Sequence, residues 1–202
     1  MEIMRAFLGI FPPKEIAAVF RDYRQQLRKQ KQNIAFVPAP DIHLSLKFLG
    51  PDVSEKSIAD ITEICRNIVG RYKPFEIELS DVRFGFGHAS KPRILFASIV
   101  ENKIVNELAG EIESAIPRLK FPDTYPPRGK FVPHFTLGRI RGNIHQKKIQ
   151  EILDAVKQKP FEGKGMKFVV DTIRLVNSIK VKDGQRYEVV EEFRLKSNIV
   201  NS

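Results

Sequence analysis

Two short stretches, His43-Leu-Ser-Leu and His134-Phe-Thr-Leu, repeat one pattern 91 residues apart: imidazole, apolar side chain, hydroxyl, leucine. Such alternation belongs to a β-strand, whose side chains point to opposite faces with a period of two. His43 and Ser45 therefore share a face, about 7 Å apart at a rise of ~3.3 Å per residue. Leu44, Leu46 and Phe48 are expected on the other face, in a core. His134 and Thr136 repeat the arrangement against Phe135 and Leu137. The chain has four histidines in all. Two of them in matching places in two halves predict a molecule of two related lobes, each offering an imidazole and a hydroxyl from a rigid strand.

The segments between these strands support an α+β fold. "EIMRAFLGI", bounded by Pro12 and Pro13, reads as a buried strand. Ile16, Val19, Phe20, Tyr23 and Leu27 form the stripe of a helix opened by those prolines. The strand of the first motif is expected to end at Gly50-Pro51. Ser54 caps a helix with apolar face Ile58, Ile61, Cys65, Ile68 and Val69, closed by Gly70. "FEIELSDVRFGFG" and "RILFASIV" read as paired strands, followed by a helix with Ile104, Leu108 and Ile112 in phase up to Pro117. A loop with three prolines, residues 120–130, leads into the second motif strand. A fourth helix carries Ile149, Ile152, Leu153 and Val156. "KFVVDTIRLVNSIKV" and "QRYEVVEEFRL" close the chain as strands joined by a hairpin at Asp183-Gly184. No linker is long enough to separate independent domains, so residues 1–202 are read as one bilobal unit.

Composition narrows the setting. With 42% hydrophobic residues over 202 positions, the chain can bury one sizeable core. It has no apolar run near the roughly 20 residues that span a bilayer, and no signal-peptide pattern at its start. Its single cysteine lies on a helical stripe, as a buried thiol would. The reading is a cytoplasmic protein without membrane association, and a monomer by default. The net charge of +10 is uneven: residues 1–118 carry 17 Lys/Arg against 15 Asp/Glu, residues 119–202 carry 17 against 9. A basic half suits a polyanion such as nucleic acid, or is simply a solvated surface.

The chemistry follows from the side chains. An imidazole titrates near neutrality and serves as general acid or base. A hydroxyl two residues on can hydrogen-bond an anionic oxygen. Two such pairs facing across a cleft suit in-line displacement at phosphorus, where attacking and leaving oxygens lie on opposite sides. A metal centre would usually want three or more ligands in His-x-His or HExxH spacing, and neither pattern occurs. No cofactor is called for. His88 and His145 lie beside turn residues and read as surface histidines.

These motifs resemble the two HxTx motifs of the 2H phosphoesterase superfamily, and most of all those of the RNA 2′,3′-cyclic phosphodiesterases, the 2′-5′ RNA ligase family. "RAFLGI", "HLSLKFLG", "FVPHFTLGRI" and "RYEVVEEFRL" carry the resemblance, with Ser45 where threonine is usual. It implies a bilobal fold, with two antiparallel sheets, outer helices and pseudo-twofold symmetry around a central cleft. It also implies metal-independent opening of a 2′,3′-cyclic phosphate at an RNA 3′ end, tRNA fragments among them, to a 2′-phosphate. On that pattern His134 accepts the proton from water and His43 donates one to the departing 3′ oxygen. The near symmetry of the residues does not by itself distinguish the two roles. Ser45, Thr136 and Arg139 would bind the phosphate. Strict alternation turns Arg139 away from His134, so it reaches the phosphate only through a bulge at Gly138. Lys47 has the parity of the catalytic face, and Phe7 either stacks on a base or packs in the core. Lys120, Tyr125, Arg128 and Lys130, on the loop before the second motif, are candidate RNA contacts. Ligation of 2′-5′ linkages, or RNA-end binding without turnover, remain the alternatives.

Overall fold

The computed structural model describes residues 3–86, 92–117, 120–122, 124, 130–142, 145–181 and 184–196. Nine strands and four α-helices lie within them. In chain order they are β1 (Ile3–Ile10), α1 (Lys14–Gln26), β2 (Ile34–Phe36), β3 (Leu44–Ser54), α2 (Glu55–Val69), β4 (Phe75–Gly85) and β5 (Ile94–Ile99). Then come α3 (Lys103–Ala115), β6 (His134–Ile140), α4 (Gln146–Lys157), β7 (Lys167–Val170), β8 (Thr172–Val181) and β9 (Gly184–Arg194).

All pairings are antiparallel. The expected two sheets are present as two four-stranded halves, β9-β8-β1-β3 and β6-β5-β4-β7, of one continuous sheet; β2 adds to β6. The halves meet where Leu44 of β3 pairs with Phe135 of β6. A single residue, Asp171, separates β7 at one end of the sheet from β8 near the other. Val170 and Thr172 are then at most about 7 Å apart along the chain, so the sheet must curl to bring its ends together. The backbone N–H of Leu195, just past β9, donates to the Asp171 carbonyl and ties that end in as well.

The helices cross over. α3 follows β5 of the second half yet packs against β3 of the first, beside α2. α1 follows β1 of the first half and sets Phe20 against Phe135 of β6, ring centres 5.5 Å apart. The Tyr23 hydroxyl of α1 donates to the Val156 carbonyl of α4. Each half is thus backed by one helix of its own and one from the other half. A fully buried ring at such a junction contributes roughly 1.5–3 kcal/mol, and Phe20 and Phe135 are both fully buried.

Local rules explain most helix ends. The Ser54 hydroxyl accepts from the Ser57 N–H and caps α2. Asn102 caps α3 through Val105 N–H. Cys65 is buried, and burial pushes its thiol pKa up to about 12, an inert state. Three expectations need correction. β3 does not stop at Gly50-Pro51 but continues to Ser54, because the register slips there and a bulge accommodates proline. The buried stripe of α3 uses Val105 rather than Ile104, which stays exposed. The run from 167 to 181 is two strands on opposite halves of the sheet. The hairpin signal at Asp183 falls partly outside the described residues, although Val181 does pair with Gly184. No helix among the described residues is long and apolar enough to cross a membrane.

Candidate active site

The single bridge between the halves fixes the site. Because Leu44 faces Phe135, extending that register by one residue sets His43 across from Thr136 and Ser45 across from His134. The two imidazoles become diagonal neighbours on adjacent antiparallel strands, their Cα atoms roughly 7–8 Å apart. They share the face opposite Leu44 and Phe135, both of which are fully buried.

Both motifs carry the same irregularity. Along β1, Gly9 faces Ser45 but Leu8 faces Lys47, so Leu46 is an extra residue in β3. Along β5, Phe96 faces Thr136 but Leu95 faces Gly138, so Leu137 is the extra residue in β6. The leucine of each motif is therefore a bulge, and each bulge inverts the alternation beyond it. Arg139, opposite Ile94, thereby joins the face of His134 and Thr136; it is exposed and has no ion pair among the described residues. Gly138 leaves space for β2: a Cβ there would lie 2.6 Å from Ile34 Cγ2.

The same inversion corrects the reading of Lys47. It faces Leu8 on the core side, is 4% exposed, and its Nζ lies 2.6 Å from Glu113 Oε1 on α3. In this fold it is not a free cation for RNA. Phe48, expected in the core, shares the site face with Phe7 and lies half-buried under the Arg5 guanidinium, 4.7 Å from its ring centre.

Each imidazole is held in the same way. His43 Nδ1 lies 2.7 Å from the Asp41 carbonyl oxygen and His134 Nδ1 lies 2.7 Å from that of Val132. A carbonyl only accepts, so Nδ1 carries the proton and Nε2 is the nitrogen left to exchange one. Gly9 keeps room for the first ring: a Cβ there would lie 3.0 Å from the Leu44 carbonyl oxygen and 3.5 Å from His43 Cδ2.

The aromatic surroundings differ. Phe7 stacks on His43 at 4.3 Å, Phe11 lies at 5.3 Å, and Tyr187 presents its edge at 5.4 Å. Around His134, Phe86 lies at 4.5 Å and Phe96 presents its edge at 5.3 Å. Burial is the main influence lowering the His43 pKa from 6.5 to about 4; the Asp41 hydrogen bond opposes it, and the charges of His134 and Arg139 add to it. The His134 pKa is lowered too, by burial first and then by Arg139, against the Val132 hydrogen bond.

The remaining candidates divide. Ser45 and Thr136 accompany the histidines, and neither hydroxyl has a protein partner among the described residues. Phe7 is buried against His43. Lys130 is exposed on the wall of a cavity of about 810 Å³ that also takes in His134, Ser45, Phe86 and Phe96. Lys120 lies over Phe121. Tyr125, Arg128 and His88 lie outside the described residues, and His145 is exposed. Among the described residues no three His, Cys, Asp or Glu side chains come together as metal ligands. Phe11, Phe86, Phe96 and Tyr187 were not legible as site residues, since only the pairing of distant strands brings them to the histidines.

Two hydroxyl–imidazole pairs on one face, at the junction of two pseudo-symmetric half-sheets, define the architecture of a 2H phosphoesterase. The chain belongs to the 2′-5′ RNA ligase superfamily, whose profile matches residues 12–181. It is 30% identical over 199 residues to an RNA 2′,3′-cyclic phosphodiesterase of Aquifex aeolicus, covering 96% of this chain and 99% of that one. It is 26% identical to the protein of that name from Methanocaldococcus jannaschii, over 94% and 100% of the two chains. The fold matches the crystal structure of TT0787 of Thermus thermophilus, with a TM-score of 0.80 at 24% identity over 96% and 100% of the chains. It also matches E. coli LigT complexed with 3′-AMP, with a TM-score of 0.74 at 21% identity over 96% and 99%.

Proposed function

We propose that this chain hydrolyses 2′,3′-cyclic phosphates at RNA 3′ ends to 2′-phosphates, with His43 as proton donor and His134 as proton acceptor. Cyclic phosphodiesterase activity is the coarse reading that the family and the relatives' names support. The observation that carries the finer reading is the Leu44–Phe135 bridge, which sets both motifs side by side on one open face.

In this mechanism a water attacks phosphorus in line with O3′. His134 Nε2 takes its proton as the new O–P bond forms, the P–O3′ bond breaks, and His43 Nε2–H protonates O3′. Ser45 and Thr136 donate hydrogen bonds to the two non-bridging oxygens, and Arg139 offsets the charge that grows on them. With its pKa at about 4 in the empty site, His43 is neutral at pH 7. The phosphate anion favours the charged imidazole, so the acid forms when substrate arrives. No metal takes part in these steps. The reading takes the protein as a cytoplasmic monomer acting on RNA ends, tRNA fragments among them.

The test is incubation of an oligonucleotide bearing a 2′,3′-cyclic phosphate with the protein in excess chelator, followed by identification of the product. A 2′-phosphate with turnover is expected. A 3′-phosphate, or activity that appears only on adding a metal, contradicts the mechanism. Joining of 2′-5′ ends runs these steps with an alcohol in place of water, and measured rates of joining and hydrolysis on matched ends separate the two. Tight binding without product would mark an RNA-end-binding module instead.

A further inference from the structure

The two sides of the site are unequally filled. His43 is enclosed by Phe7, Phe11 and Tyr187, and it takes no part in the wall of the 810 Å³ cavity. His134 opens onto that cavity, which runs between β3, β5 and α3. Its aromatic neighbour Phe86 is 42% exposed, a large apolar ring held in water beside a polar site. Phe86 also has a φ of 56°, the only non-glycine residue with positive φ among those described. A bulky side chain rarely adopts the left-handed region, and such strain gathers where function needs a side chain placed.

We propose that the cavity is a nucleoside subsite and that Phe86 is the platform on which the terminal base of the substrate stacks. This deepens the phosphodiesterase reading and rests on it. His134 and Ser45 belong to the same wall, so a cyclic phosphate held between the histidines has its ribose beside the cavity. The volume lies within the range of nucleotide-sized pockets. An exposed ring accepts any base by its π-face, and stacking of this kind is sequence-tolerant. Ser98 and Asn106, on the cavity wall, supply hydrogen-bonding groups for a base edge. On the His43 side, three rings already occupy the equivalent space.

The experiment compares kcat/KM for a nucleoside 2′,3′-cyclic phosphate with that for methyl riboside 2,3-cyclic phosphate, which lacks the base. The wild-type protein is expected to prefer the nucleotide. Phe86→Ala should lower that preference about tenfold through KM, whatever loss is common to both substrates. Phe86→Tyr should keep it. Phe86→Gly, which suits the left-handed backbone, should lose it as alanine does and guards against misfolding. An equal loss on both substrates would mean that the ring only supports His134, and overturns the proposal, as does an unchanged preference. If the protein turned over neither substrate, the phosphodiesterase reading would fall. Calorimetric binding of nucleoside 2′-phosphate and methyl riboside 2-phosphate would then read the same ratio, and equal affinities would overturn the subsite.

Discussion

His43 and His134 sit in matching frames and in unlike surroundings. Each follows the residue two before it through a 2.7 Å Nδ1–carbonyl contact, and each precedes a bulged leucine. Yet three rings close around His43, while His134 faces a cavity. Backbone symmetry thus makes the chemistry reciprocal, and side-chain packing makes it directional. The positions just past the bulges show the same division: Lys47 and Gly138 turn to the core, Phe48 and Arg139 to the site.

The most severe way to break the comparison is to remove either ring. His43→Ala and His134→Ala should each lower the rate about 10²–10⁴-fold, the usual worth of a positioned acid or base. Near-full single-turnover activity in either variant would refute the pairing. Next come the two cations beyond the bulges. Arg139→Met should cost about 10²–10³-fold in rate and leave thermal stability nearly unchanged, because the side chain is exposed and has no ion pair among the described residues. Lys47→Met should act the other way. It leaves Glu113 without its partner and should cost about 1–3 kcal/mol in denaturant unfolding, at the low end for a broken buried pair because Glu113 is partly solvated. A rate loss at Lys47 matching that at Arg139 would contradict the register.

The smallest expected effect is on stability against pH. The folded-state pKa of His43 is lowered to about 4, so between pH 6.5 and 4 the unfolded chain binds a proton that the folded chain does not. Stability then falls as pH falls through that window. His134 adds to this in the same direction. His43→Phe should flatten the decline in midpoint temperature, and an unchanged slope would show that the ring is not enclosed as described.

Much of this was legible in the chain. The period-two pattern around each histidine follows from strand geometry, so the motif faces could be read from sequence as far as the bulges. The helix stripes and the Ser54 cap were likewise local properties. The bulge needed by Arg139 was inferred from Gly138, and the register places the extra residue one position earlier, at Leu137. That a bulge also turns Lys47 inward was missed, since nothing local distinguishes an extra residue from an alternating one. β2 was missed because three residues give no period. The division at Asp171 was missed because a continuous apolar run does not say which strand each part will pair with. The aromatic neighbours of the histidines come from β1, β4, β5 and β9, and from the residues that follow β1 and β4. Only the finished sheet assembles them.

The pH dependence of kcat/KM in excess chelator tests most directly whether the two imidazoles divide the labour at one phosphorus atom. The wild-type profile should be bell-shaped. His134→Ala should lose the acidic limb, that of the base, and His43→Ala the alkaline limb, that of the acid. A bell that survives intact in either variant would contradict the account.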